Sequence, residues 1–206
     1  MRAGFRSTFL FGIRGGQKEK KMLKYTKMIN KYLNKILNID CVEGFKNLPD
    51  QSIDIIFTDP PYGLSKTGIH NDEDLSLFYK TLPECYRVLK NESFFISFFS
   101  TKFLPKIFKN NPFNYHWNFI LYCPEGRVSS SIGFTKYMSC VVFKKGNPKM
   151  TKKGKDIFVD TPGRMIEPDE GFINHPTPKP KTFIKELLFM FSKEGDIVLD
   201  PFIGSG

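Results

Sequence analysis

SIDIIFTDPPYG, residues 52–63, decides the fold class. A short apolar run, residues 53–57, stops at Thr58-Asp59-Pro60-Pro61-Tyr62-Gly63. Apolar, β-branched and aromatic residues bounded by turn formers read as a buried strand, and apolar character on both faces points to a parallel one. Such a strand delivers Asp59 and Tyr62 to its carboxyl end, the edge at which open α/β sheets bind ligands.

Downstream, residues 64–71 form a polar loop containing Gly68, placed to cover a site. Residues 74–90 then carry Leu75, Phe78, Tyr79, Leu82, Cys85, Tyr86 and Leu89 on one helical stripe, with a kink or break expected at Pro83. Residues 94–99 are again apolar on both faces. The order strand, helix, strand implies a right-handed parallel crossover. A short helix over 101–110, weakened by Pro105, a strand over 117–122, a loop over 124–135 and a strand over 137–143 follow. From 144 to 174 the chain turns polar, rich in Gly and Pro, and reads as an insertion rather than core. Periodicity returns at 182–192, where Ile184, Leu187, Leu188 and Phe191 form a core-facing stripe. A Glu194-Gly195-Asp196 turn and a brief strand, 197–199, lead into Asp200-Pro201-Phe202-Ile203-Gly204-Ser205-Gly206.

Upstream, residues 1–17 lack periodicity and read as a mobile arm. A basic amphipathic helix is expected from Lys18 to near Asn34, with Met22, Tyr25, Ile29 and Tyr32 opposite Lys20, Lys24, Lys27 and Lys31. A strand over 36–39 ends at Asp40, and a helical turn around 43–48 precedes Pro49-Asp50.

The 206 residues suit one domain, read here as 18–206 behind the arm. Four widely spaced cysteines, with no CxxC pair or His/Cys cluster, read as reduced, packed thiols and give no metal site. No stretch approaches the roughly 20 apolar residues of a membrane span, and the first residues make no convincing signal peptide, so a cytoplasmic or nucleoid-associated protein is expected. The net charge of +10 is local: residues 1–35 hold ten Lys/Arg against Glu19 alone. Lys144, Lys145, Lys149, Lys152, Lys153 and Lys155 form a second cluster without an acid in it. Both suit a polyanion, and a solvated lysine-rich surface is the plain alternative. Residues 40–74, by contrast, hold eight Asp/Glu and two Lys, an acidic surround for the presumed reaction centre.

Asp59-Pro60-Pro61-Tyr62 at a strand end resembles the catalytic motif of the amino-methyltransferases, which transfer a methyl group from S-adenosylmethionine to an exocyclic base nitrogen. The chemistry fits those residue types. An exocyclic amine is a poor nucleophile because its lone pair is delocalised into the ring. A carboxylate, Asp59, and a backbone carbonyl, Pro60, accepting its two N–H groups draw the nitrogen toward tetrahedral geometry. Pro61 restricts Pro60 and brings no N–H to compete. Tyr62 supplies a ring on which a base flipped out of the duplex stacks.

Residues 200–206, DPFIGSG, look like that family's FxGxG cofactor loop, which makes Asp200, Phe202, Gly204 and Gly206 cofactor-binding candidates. Asn174-His175-Pro176-Thr177-Pro178-Lys179-Pro180 resembles its HPTxKP segment, which implies that Thr177 and Lys179 help hold the methionine end of the cofactor. Asn38-Ile39-Asp40-Cys41 resembles its strand-end GD segment, implying an Asp40 contact to the cofactor's adenine. Catalytic motif first, basic insertion next and cofactor loop last is the permuted order of the β-type DNA amino-methyltransferases.

The resemblance covers residues 35–206 and implies an α/β, Rossmann-like fold with a mostly parallel sheet, with 146–174 as a short target-recognition insertion. It implies double-stranded DNA as partner, a flipped base, and S-adenosylmethionine as cofactor. Asp at the first motif position favours N6 of adenine; N4 of cytosine is the runner-up, and RNA a further substrate. Phosphate affinity is assigned to Lys20, Lys24, Lys27, Lys149, Lys152 and Lys153. The family pattern continues past FxGxG with a helix and an acidic strand end that holds the cofactor ribose. A chain stopping at that loop is expected to need a second subunit or a further segment, and a non-catalytic nucleic-acid-binding fragment is the rival reading.

Overall fold

β1 (Ile53–Thr58) is the strand expected from residues 53–57, and all of its residues except Asp54 are buried. The computed structural model of the chain describes residues 28–61, 74–124, 128–130, 132–159 and 179–203. Ahead of β1 lies a short helix, α1 (Cys41–Phe45). After it come α2 (Ser76–Val88), β2 (Leu89–Phe99), a 3₁₀ turn at Thr101–Phe103, α3 (Leu104–Ile107) and β3 (Asn114–Tyr122). A small hairpin, β4 (Val128–Ser130) and β5 (Gly133–Thr135), is followed by β6 (Tyr137–Lys145), β7 (Ile157–Val159), α4 (Lys181–Phe191) and β8 (Val198–Leu199).

Six strands form one sheet in the order β7-β3-β6-β2-β1-β8. β1 pairs in parallel with β2 and β8, and β3 with β7; only β6 runs against its neighbours. The sheet is therefore mostly parallel, as the doubly apolar strands required. Its two faces are covered separately. α2 sets Phe78, Leu82, Cys85 and Val88 against Ile56, Phe95, Phe99 and Phe143, while α4 sets Phe183, Leu187, Met190 and Phe191 against Ile55, Phe57, Phe94, Ile96 and Phe98. The abundance of phenylalanine has its explanation in these layers, where rings meet edge to face, as in Phe78–Phe99 at 4.8 Å and Phe94–Phe191 at 4.8 Å.

Several expectations need correction. Residues 36–39 are not a strand: Ile36, Leu37 and Ile39 are exposed, and the sheet runs from β7 to β8 without them. Pro83 does not break α2, which runs unbroken through it. The proline lies on the exposed face, and the buried stripe of Phe78, Leu82, Cys85 and Val88 holds the helix together. Pro105 falls in the first turn of α3, where its missing N–H costs nothing. The loop over 124–135 contains the β4–β5 hairpin. Part of the stretch read as an insertion belongs to the sheet: Phe158 of β7 is buried, and its ring meets Phe183 at 4.9 Å. The arm and most of the basic helix lie outside the described residues; residues 28–30 are helical, and the backbone turns at Asn34 with φ 56°.

Lys145 leaves the basic cluster altogether. It is buried, and its ammonium donates to the carbonyls of Tyr86 (2.7 Å) and Leu89 (2.6 Å) at the carboxyl end of α2, with the Tyr86 ring 4.5 Å away. Burial lowers its pKa. The cation bonds one carbonyl in the last turn of the helix and one at its cap, and complements the helix dipole. Lys145→Met is expected to lower stability by about 1–3 kcal/mol, since the lost bonds to a charged donor outweigh the relieved desolvation. Chemical denaturation checks this, and an unchanged midpoint would show that the two carbonyls need no partner.

Candidate active site

β1 and β8 lie side by side in parallel, with Ile55 opposite Val198 and Ile56 opposite Leu199. Their carboxyl ends therefore emerge together. The crossover after β1 passes over one face through α2, whereas the one entering β8 comes through α4 on the other. Adjacent strands served from opposite faces leave a crevice at their carboxyl ends, the topological switch point of an open α/β sheet. The approach to β8 is fixed by Asp54 of β1, whose carboxylate takes the Lys90 ammonium (2.7 Å) and the Ile197 N–H (3.0 Å). Gly195, with φ 88°, makes the turn before it.

In that crevice the two sequence motifs meet. Thr58 Oγ1 donates to Asp200 Oδ1 at 2.5 Å across 142 positions of sequence, and Asp200 Oδ1 also accepts the Phe202 N–H at 2.9 Å. Burial raises the pKa of Asp200; the bonds from Thr58 and Phe202 oppose the rise, and the nearby Asp59 adds to it. Asp59 follows the last residue of β1 with its side chain 30% exposed, while Pro60 is buried and Pro61 half-buried. The Lys179 ammonium donates to Asp59 Oδ2 and stands 5.3 Å from the centre of the Phe98 ring, with only 9% of the lysine side chain exposed. Beneath them the Cys140 thiol is fully buried, and its pKa is raised first by burial and then by the Asp59 carboxylate.

Asp59, Pro60, Pro61, Lys179, Asp200 and Phe202 are thus brought to one strand edge. Asp40 is exposed and caps α1, accepting the N–H groups of Val42 (2.9 Å) and Glu43 (3.2 Å) through one carboxylate oxygen. Lys149, Lys152 and Lys153 are exposed, and the Lys152 N–H bonds the Met190 carbonyl. Met190 lies near the end of α4 remote from Lys179, about 15 Å along the helix. Tyr62, Thr177, Gly204 and Gly206, with Lys20, Lys24 and Lys27, lie outside the described residues. Thr58 and Phe98 were not among the expected site residues. Thr58 stands beside Asp59 in sequence, which was the one available signal, whereas Phe98 is one of 22 phenylalanines and nothing in its local pattern sets it apart.

Among the described residues, no group of three or more His, Cys, Asp or Glu side chains is placed to hold a metal ion, and no helix is long and apolar enough to cross a membrane.

The sequence profile of the N6/N4 DNA methylases matches residues 53–160 and 142–206, well over half of the chain. The type II methyltransferase M.HpaI of Haemophilus parainfluenzae is 30% identical over 196 residues, an alignment covering 81% of this chain and 62% of that protein. This chain therefore spans less than two thirds of that relative. Among solved structures, the PvuII DNA methyltransferase, named as cytosine-N4-specific, superposes with a TM-score of 0.61 at 16% identity, covering 79% of this chain and 71% of its own. M1.HpyAVI, solved as a complex with SAM, superposes with a TM-score of 0.56 at 23% identity, covering 84% of each chain. The fold is accordingly the Rossmann-like α/β fold of these enzymes, and the chain belongs to the N6/N4 DNA methylase family.

Proposed function

We propose that this chain carries out methyl transfer from S-adenosylmethionine to an exocyclic amine of a DNA base, N6 of adenine, with Asp59 and Pro60 holding the amine. The observation that carries the reading is the Thr58–Asp200 bond, which joins the catalytic and cofactor motifs across the switch point. The charges in the crevice suit the cofactor. With both carboxylates ionised, Asp59 and Asp200 leave one negative charge in excess over Lys179, a surround that favours a sulfonium cation. When bound, S-adenosylmethionine supplies an electrophilic methyl group and leaves as a neutral thioether. The Asp200-Pro201-Phe202 turn and the glycines after it would hold it, with Thr177 as a further candidate.

The chain's own contribution is orientation and charge. Asp59 and the Pro60 carbonyl accept the two amine N–H bonds, which frees the nitrogen lone pair toward the methyl group. The Asp59 carboxylate, already accepting one N–H, is the nearest acceptor for the proton that the nitrogen sheds once methylated. Tyr62 stacks on the flipped base. Phosphates are held away from this acidic crevice by Lys20, Lys24, Lys27, Lys149, Lys152 and Lys153, so binding weakens steeply with salt. Asp at the head of the motif supports adenine over cytosine.

The test incubates the full chain with duplex DNA and methyl-labelled S-adenosylmethionine, then resolves the nucleosides by mass spectrometry. N6-methyladenine is the expected product. N4-methylcytosine would transfer the same site to the other base, and unmodified DNA under conditions where the cofactor binds would overturn the reading.

A further inference from the structure

We infer that Lys179 is a positioning residue for Asp59: its ammonium, stacked on Phe98, fixes the carboxylate that receives the target amine instead of holding the carboxylate of the methyl donor. The inference rests on the methyl-transfer reading of this site and goes beyond it in giving Lys179 a partner within the chain.

Three features converge on it. Lys179 precedes Pro180, which restricts it to extended backbone and keeps it out of α4, so the side chain leaves the helix start toward the ends of β1 and β2. α4 itself is anchored by Phe183 and Leu187, both buried, so the lysine is delivered from a rigid element. The ammonium then sits between Asp59 and the face of Phe98, with Asp200 close enough for its titration to respond to Asp59. A nearly buried ammonium is tolerated only with a paired anion, and here Asp59 is that anion. Taking the donor's carboxylate as well would bring a third carboxylate to the one ammonium that offsets Asp59 and its neighbour Asp200.

Pairing and acceptance are compatible. An ionised carboxylate offers about four lone-pair positions, so one group can accept both an ammonium bond and an amine N–H. The bond restricts rotation of the carboxylate, and orientation of an acceptor toward a nitrogen that must be made pyramidal is the kind of geometry in which small misplacements cost about 10²-fold in rate. The ammonium also offsets the Asp59–Asp200 repulsion until the cationic donor arrives.

The two possible partners of Lys179 are separated by a pair of ligands. S-adenosylmethionine and S-adenosylhomocysteine carry the same carboxylate and differ in the charge at sulfur. In Lys179→Met, kcat is expected to fall about 10²-fold. Calorimetric affinity for S-adenosylhomocysteine should stay within about twofold of wild type, and the preference for the cationic ligand over the neutral one should rise several-fold because a positive charge has left the crevice. Lys179→Arg should recover part of kcat. Loss of affinity for both ligands together by about tenfold or more, with kcat nearly unchanged, would assign Lys179 to the donor's carboxylate and overturn the inference.

A readout independent of turnover is the stability cycle of Asp59→Asn, Lys179→Met and the double variant in urea. Non-additivity is expected, with the double variant unfolding at a higher urea concentration than the sum of the single losses allows. Additive losses would remove the pairing itself. A wild type that binds S-adenosylmethionine yet methylates no DNA sinks the function reading, and the cycle then decides on the ion pair separately.

Discussion

Asp59→Ala is expected to cut methyl transfer by about 10²–10³-fold, the range seen when one preorganised hydrogen-bonding group at a reacting centre is removed. The change deletes the acceptor of one amine N–H and leaves the Pro60 carbonyl as the other. It falls after the last residue of β1, so the ladder to β2 and β8 is intact. DNA affinity and its salt dependence should be unchanged, because the lysines assigned to phosphate lie elsewhere in the chain. Affinity for S-adenosylmethionine should weaken modestly, since a carboxylate has left the surround of the sulfonium. Asp59→Asn sharpens the reading: the amide keeps an oxygen acceptor of the same reach without the charge, so it should fall between alanine and wild type. Single-turnover rates with labelled cofactor are the measurement. Transfer within about tenfold of wild type in Asp59→Ala would exclude this carboxylate from the chemistry, and loss of DNA binding instead would make it a recognition residue.

What could be read from the chain, and what could not, divides along physical lines. β1, β2 and the stripe of α2 announced themselves because burial on both faces, or on one helical face, leaves a pattern within a few residues. The meeting of Asp59 with Asp200 was implied by resemblance of two short motifs, and parallel pairing of β1 with β8 realises it. Lys145 could not be told apart from surface lysines by position, and Lys179, singled out by its motif, showed no sign there of its partner, since each bonds a group far away: the Leu89 carbonyl 56 positions off for one, Asp59 120 positions off for the other. Residues 36–39 failed for a different reason. Their short apolar run looks strand-like, but a strand needs a partner ladder and a buried face, and these residues pair with neither outer strand of the sheet, β7 or β8, and stay exposed. Pro83 failed because local propensity was set against a helix face whose burial outweighs one lost hydrogen bond.

Phe98→Ala is expected to lower stability by about 3–5 kcal/mol, the range for deleting a buried ring from a packed layer. The side chain is 2% exposed on β2, 5.8 Å from Phe57 of β1 and 5.7 Å from Phe183 of α4, centroid to centroid. It therefore joins β1 and β2 to α4, the helix whose start follows Lys179. The cavity would open between a sheet and a helix whose facing side chains are also large, which limits how far they can close it. Phe98→Leu refills much of that volume and should cost less, about 1–2 kcal/mol. It still removes the ring face from beneath the ammonium, an interaction worth about 0.5–2 kcal/mol depending on desolvation. The pair of variants thus separates packing from the site. If Phe98 acts only as core, Phe98→Leu keeps the wild-type kcat once its fraction folded is allowed for. If the ring also steadies Lys179 against Asp59, Phe98→Leu loses kcat in the same direction as Lys179→Met while remaining folded. Urea midpoints at constant slope report the first quantity and methyl-transfer rates the second, and a cost for Phe98→Ala under about 1 kcal/mol would show that the ring does not bridge the two layers.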